Sequence, residues 1–148
     1  CLIFVDGFYE HHHHKGKTYP FFIQHANQKQ PLILAGLWSE WIDRSTGEII
    51  KSASIVTTKG NELIKKIHNN PKLDGARMPL ILNPESSDTW LTSKSKKEIE
   101  QLIIPFDEEK LNAYTVGKFS GKNAVPDSPD STKEKVYEEL LGEQDLFS

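Results

Sequence analysis

The sequence predicts an α+β domain in which mainly antiparallel strands close into a barrel-like core and a few helices pack outside it. Three observations lead there. Apolar runs of strand length, bounded by turn residues, fill most of the first half of the chain. The apolar spacing then turns helical, and no linker or internal repeat divides the 148 residues, so a single domain over 1–148 is expected.

In chain order, Leu2 to Val5 is a short apolar run of buried-strand type, closed by the turn or bulge signal Asp6-Gly7. Phe8, Tyr9 and Glu10 lead into the consecutive histidines His11 to His14. His14-Lys15-Gly16-Lys17 reads as a hairpin tip, with Tyr19 to Gln24 as the return strand. Leu32 to Trp41, with Gly36 as an expected bulge, and Ser52 to Thr58 form the next strands across the polar turn Asp43 to Gly47. Thr58 is the expected N-cap of a helix through Asn61 to His68 that turns Leu63, Ile64 and Ile67 inward. Pro71 to Ala76 reads as loop and Met78 to Leu82 as a buried strand. Asn83-Pro84 opens a helix to about Leu91, and the capping box Ser95 to Glu98 opens another to about Ile103. Tyr114 to Val116 is a last strand, Gly117 to Pro129 is loop by composition, and Ser131 to Leu141 is expected to be a terminal helix.

Composition narrows the function classes. Hydrophobic content of 36% and charged content of 26% describe a soluble globular chain, and no apolar run approaches the roughly 18 residues that would span a bilayer. A net charge of -3 provides no global basic footprint, so nucleic-acid binding would need a local patch. A lone cysteine forms no intrachain disulfide and suits a reducing, cytoplasmic setting. Because the chain opens on an apolar strand with no turn or cap before it, the natural protein is expected to start earlier.

The histidine run offers ligands for zinc, nickel or copper, but strand alternation sends neighbouring members to opposite faces. No cysteine or carboxylate cluster completes a site nearby, so a solvated hairpin edge is the first reading and adventitious metal binding the second. An expression tag is disfavoured by the internal position. Glu10, behind Gly-Phe-Tyr at the end of a buried run, suits general acid or base work, against the reading of an ordinary solvated strand glutamate. His68 closes an amphipathic helix, either as a C-terminal cap or as a functional imidazole favoured by the helix dipole. Arg77, at the mouth of a buried strand, fits a phosphate ligand or a structural salt bridge equally well. Trp38, Trp41 and Trp90 read as core, and Cys1, followed at once by an apolar strand, reads as inert rather than as an N-terminal nucleophile.

The segments CLIFVDGFYE, YPFFI, IVTT, KKIH and ARMPLIL, in this order, resemble the SOS-response-associated peptidase family, whose members process abasic sites in single-stranded DNA. Glu10 matches the motif Glu, Thr57 the motif Thr, His68 the motif His and Arg77-Met78-Pro79 the final triplet. The likeness spans nearly all of Cys1 to Leu91 and is expected to take in the C-terminal two thirds only. It implies a DNA-repair enzyme, peptidase- and lyase-like, that forms and reverses a covalent crosslink to abasic sites and removes its own initiator Met. An N-terminal cysteine would be the nucleophile, with Glu10 and His68 as catalytic acid and base. Thr57 and Arg77 would hold DNA phosphates, and His11, standing where the family has Trp, would face the DNA groove. The partner that the resemblance implies is single-stranded DNA with abasic sites; no metal or cofactor, no membrane and a monomer are expected. Three departures stand out. The family's Met-Cys-Gly-Arg and Asn-Ala-Arg-x-Glu segments are absent, so Cys1 matches a structural cysteine and this chain alone is expected to be inactive. His11 replaces Trp. NNPKLDGA separates His68 from Arg77. The rival readings are a non-catalytic single-stranded DNA-binding module and a metal-dependent hydrolase using the histidines.

Overall fold

A computed structural model describes residues 1–121, 124 and 128–142 of the chain. Its order is β1 (Leu2–Val5), β2 (Gly7–His14), β3 (Lys17–His25), β4 (Leu32–Ile42), β5 (Ile49–Ile55), β6 (Thr57–Lys59), α1 (Glu62–Ile67), β7 (Arg77–Pro79), β8 (Ile81–Leu82), α2 (Pro84–Thr92), α3 (Lys96–Gln101) and β9 (Leu111–Thr115), with short 3-10 turns between and after these.

The expected α+β class with antiparallel pairing is what forms, but the barrel-like core is not. The strands make three separate open sheets: β1-β4-β5 with β8 added on β4, β2-β3-β9, and the pair β6-β7. Backbone breaks keep them apart. The strand expected over Ser52 to Thr58 is interrupted at Val56, and that over Met78 to Leu82 at Leu80. At the breaks Ala35 N–H donates to Leu80 O, Val56 N–H to Ala35 O and Leu80 N–H to Val56 O. These isolated bonds tie the sheets together at a corner without a continuous ladder, so no cylinder closes among the described residues.

The β2-β3 hairpin follows from its turn. Lys15 and Gly16 both take positive φ, 47° and 74°, the geometry whose twist matches that of the flanking strands. This sets Glu10 opposite Phe21 and His12 opposite Tyr19. Gly7 is required by a close approach, since a Cβ there would lie 2.4 Å from Ile23 O. Gly36 is no bulge: it pairs in register with Ile55, and a Cβ would stand 2.8 Å from Cys1 Sγ.

The main core gathers Phe21, Ile23, Leu32, Leu34, Ile64, Ile67, Met78, Ile81, Phe106 and Leu111 from four strands of two sheets, β7, α1 and the loop before β9. α1 supplies Ile64 and Ile67 as its apolar stripe, both fully buried. Its N-cap is Asn61 rather than Thr58: Asn61 Oδ1 accepts from Ile64 N–H at 2.9 Å, while Nδ2 donates to Phe106 O at 2.8 Å. Thr58 is instead a buried strand residue of β6. Trp90 is core, as expected, whereas Trp38 and Trp41 are exposed on the outer half of β4.

The helix expected over Ser131 to Leu141 does not form. Val116 bridges Glu134, Lys135 N–H donates to Thr115 O, and only 3-10 turns occur, at Pro129–Thr132 and Glu138–Leu140. The segment satisfies backbone groups that the end of β9 would otherwise leave open, and it buries Tyr137 and Leu140 against Tyr19. Tyr137 donates its hydroxyl to Val116 O at 2.8 Å, and burial pushes its phenol up from the ordinary value. The loop expected over Gly117 to Pro129 falls partly outside the described residues.

Candidate functional site

The hairpin register puts Phe8, Glu10, His12 and His14 on the face of β2 shared with Ile23, Phe21 and Tyr19, the face against which α1 packs. α1 ends where its last turn meets that face, and His68 is its C-cap. His68 Nδ1 lies 2.9 Å from Glu10 Oε2, with both side chains mostly but not wholly shielded, at 15% and 23% exposure. The oxygen stands off the direction in which the ring nitrogen would carry hydrogen, so the pair is in Coulomb contact without an aligned hydrogen bond. Glu10 Oε1 accepts from the backbone N–H of His11 at 2.8 Å, which leaves Oε2 directed at the imidazole. His68 Nε2 is buried with no hydrogen-bond partner among the described residues. A carboxylate that steadies an imidazole whose other nitrogen is unused is an arrangement able to move a proton.

A second pairing joins Thr57 and Arg77 across β6-β7. Arg77 Nε and Nη2 donate to Thr57 Oγ1 at 3.1 and 2.6 Å, and Nη2 also donates to Thr57 O at 3.0 Å. No carboxylate lies within ion-pair distance of Arg77 among the described residues. The salt-bridge alternative therefore gives way to an exposed guanidinium that is oriented but not neutralised, with Nη1 turned to no acceptor among the described residues. An anion with paired oxygens is what such a group accepts.

The structure thus brings Glu10 to His68 and Thr57 to Arg77. It does not bring His11 to Glu10, because odd and even members of β2 point to opposite sides and His11 is exposed on the face of Tyr9 and Phe22. The histidine run is not uniformly a solvated edge either. His12 is 5% exposed, with Nδ1 3.2 Å from Lys66 O and 3.3 Å from Ile67 O. Asn69 Oδ1 accepts from His13 N–H at 2.7 Å while its Nδ2 donates to His13 O at 2.9 Å. Asn69 did not stand out in the sequence, and His12 did so only as a member of the histidine run. The available signal was period two from Glu10, which puts His12 on the same face. No group of three or more His, Cys, Asp or Glu residues suited to a metal occurs among the described residues. None of their helices is long and apolar enough to cross a membrane.

Cys1 is half-buried, its sulfur against Gly36. Its amine donates to Gly36 O at 2.9 Å and its carbonyl accepts from Gly36 N–H. Both ends of the residue are engaged in the β1-β4 sheet.

A family model described as SOS response associated peptidase (SRAP) matches residues 1–122. Abasic site processing protein YoqW of Bacillus subtilis is 32% identical over 136 residues, covering 88% of this chain and 57% of that protein. Abasic site processing protein HMCES of Gallus gallus is 26% identical, covering 86% and 42%. A crystal structure of a protein from Bacteroides thetaiotaomicron superposes with a TM-score of 0.81 at 32% identity, over 92% of this chain and 56% of that one. The chain belongs to the SOS response associated peptidase family and spans about half the length of the relatives it matches. The extent expected from sequence needs correction. The match is not confined to the C-terminal two thirds: it occupies about the N-terminal four fifths of this chain and runs past Leu91 through α3 and β9.

Proposed function

We propose that this family member is a DNA-repair enzyme that forms and reverses a covalent crosslink to abasic sites in single-stranded DNA, with Glu10 and His68 as its acid and base. The observation that carries the reading is the 2.9 Å approach of His68 Nδ1 to Glu10 Oε2, both side chains mostly shielded from solvent, with Nε2 unpartnered among the described residues. Naming of the relatives as abasic site processing proteins supplies the substrate class. In the chemistry implied, the ring-opened abasic aldehyde condenses with an N-terminal cysteine amine, releasing water, and the thiol adds across the new C=N bond to close a thiazolidine. Ring opening needs a proton delivered to the sugar ring oxygen and one removed from its anomeric hydroxyl. Water loss needs a proton on the departing hydroxyl. A carboxylate-imidazole pair can supply and recover these protons. Removal of the initiator Met would use the same Glu10.

The amine and thiol are those of the family's N-terminal cysteine rather than of Cys1, whose backbone and sulfur are committed to Gly36. Arg77, held by Thr57, takes a DNA phosphate at its open edge. His11, on the other face of β2, can act only on DNA that wraps around the strand.

The test is a denaturing gel of the full-length protein with abasic single-stranded oligonucleotide. The parent should give a shifted covalent band. Glu10→Gln should slow its formation or reversal by about 10²- to 10⁴-fold, the range of general acid-base catalysis. Absence of a band in the parent, or equal rates in Glu10→Gln, overturns the reading. The un-neutralised Arg77 favours a second one, a non-catalytic single-stranded DNA-binding module, in which Glu10→Gln leaves binding untouched and no covalent band appears.

A further inference from the structure

We infer that His12 is a positioning residue: its ring fixes the end of α1 against β2 and thereby holds His68 at Glu10, an inference that rests on the reading of those two as the acid-base pair. The argument begins with the helix. α1 has only six residues, far short of what is stable by itself in water, so tertiary contacts decide where its last turn lies. A helix end leaves carbonyls short of internal partners, and here His12 Nδ1 meets Lys66 O at 3.2 Å and, at 3.3 Å, Ile67 O, which also accepts from Asn69 N–H. Carbonyl oxygens only accept, so Nδ1 must carry the hydrogen and the tautomer is set. At 5% exposure His12 is among the few buried polar side chains, and its ring packs edge-on to Phe21 at 6.0 Å.

One residue beyond His68, Asn69 makes its two-bond clamp to the backbone of His13. Residues 10–13 of β2 therefore lie against residues 66–69, with His68 between the carbonyls met by His12 and the Asn69 that clamps His13. A slip of the helix end by one strand position, about 3.3 Å, would separate carboxylate from imidazole altogether. His12 touches neither partner of the pair directly in these contacts. It acts through the backbone of Lys66 and Ile67, the two residues just before His68.

The experiment uses the full-length protein with 15N-labelled histidine. His12→Phe keeps an aromatic ring and removes the donor, while His12→Asn keeps an N–H near the position of Nδ1. In the parent, Glu10→Gln should move the His68 ring-nitrogen resonances. In the His12→Phe background that response should largely vanish, and His12→Asn should restore it. Crosslinking by His12→Phe should slow on the order of 10- to 100-fold with single-strand affinity unchanged, the effect of misplacing a reacting group by about 1 Å. A folded His12→Phe in which Glu10→Gln still shifts His68 as in the parent overturns the inference. Should His12→Phe not fold, His12→Leu takes its place with the same two outcomes. If the parent forms no crosslink yet the resonance response disappears in His12→Phe, the enzymatic reading has failed and the positioning one stands.

Discussion

The β2-β3 and β4-β5 hairpins are both long antiparallel pairs, and they end in opposite surroundings. β3 buries Tyr19, Phe21, Phe22 and Ile23, and β2 is laced to α1 by side-chain and backbone bonds. The outer half of β4 with β5 instead leaves Leu37, Trp38, Trp41, Ile42, Ile49, Ile50 and Ile55 exposed, on both faces of the ribbon. Strand pairing by itself holds a ribbon together but fixes nothing outside it. Packing against a helix sets the position of individual side chains, and that is where the carboxylate-imidazole pair lies.

The contrast can be broken most forcefully in the core. Ile23→Ala on β3, which is fully buried, should cost about 2–5 kcal/mol of unfolding free energy, whereas Ile42→Ala, at 57% exposure, should change it by about 0.5 kcal/mol or less. Urea unfolding of both variants measures the difference, and equal losses would mean that the outer ribbon is as tightly held as the inner one. A smaller effect tests the far end of α1. Asn61→Ala removes the cap on Ile64 N–H and leaves Phe106 O without its donor, so a loss of about 1–2 kcal/mol is expected, with Thr58→Ala supplying no cap loss for comparison.

The smallest effect belongs to the surface pair Lys17-Glu139, 3.1 Å apart at the hairpin turn. The Glu139 carboxyl is lowered by its own backbone hydrogen bond and then by Lys17, and the Lys17 ammonium is raised by Glu139. The signs follow. The carboxylate's contribution is present above its unfolded value and lost as pH falls through the lowered one, and the ammonium's is present below its unfolded value and lost as pH rises through the raised one. Both groups are exposed, so Lys17→Ala should leave the urea midpoint at neutral pH unchanged within error in physiological salt. A measurable drop would show that the turn end of the inner hairpin is pinned by charge as well as by packing.

Much of the inner region was legible in the chain. Lys15-Gly16 announced the turn, Glu10 stood out behind Gly-Phe-Tyr at the end of a buried run, and Leu63, Ile64 and Ile67 announced a helix. The cap was misplaced because Thr58 and Asn61 both have capping side chains, and only the burial of Thr58 in β6 decides between them. The terminal helix failed for a related reason. Ser131 with Glu134 forms a capping box and the apolar spacing is helical, yet the open edge of β9 offered the same backbone groups other partners. Trp38 and Trp41 were expected in the core because burial of a large ring is the general rule, and nothing local shows that the outer ribbon has no described layer above it.

What the sequence determined by itself is what depends on near neighbours: the hairpin turn and hence its register, the strand alternation that separates Glu10 and His12 from His11, and a motif order that marks the family. Only the tertiary structure decided which distant groups meet. Glu10 with His68 and His12 with the end of α1, groups 54 to 58 positions apart in the chain, are brought together by burial of Ile64 and Ile67 against β3, an energy that no local window contains. The same reason left the sheets open. Closure depends on whether the breaks at Val56 and Leu80 permit a continuous ladder, and those breaks are set by the meeting of three segments remote in sequence.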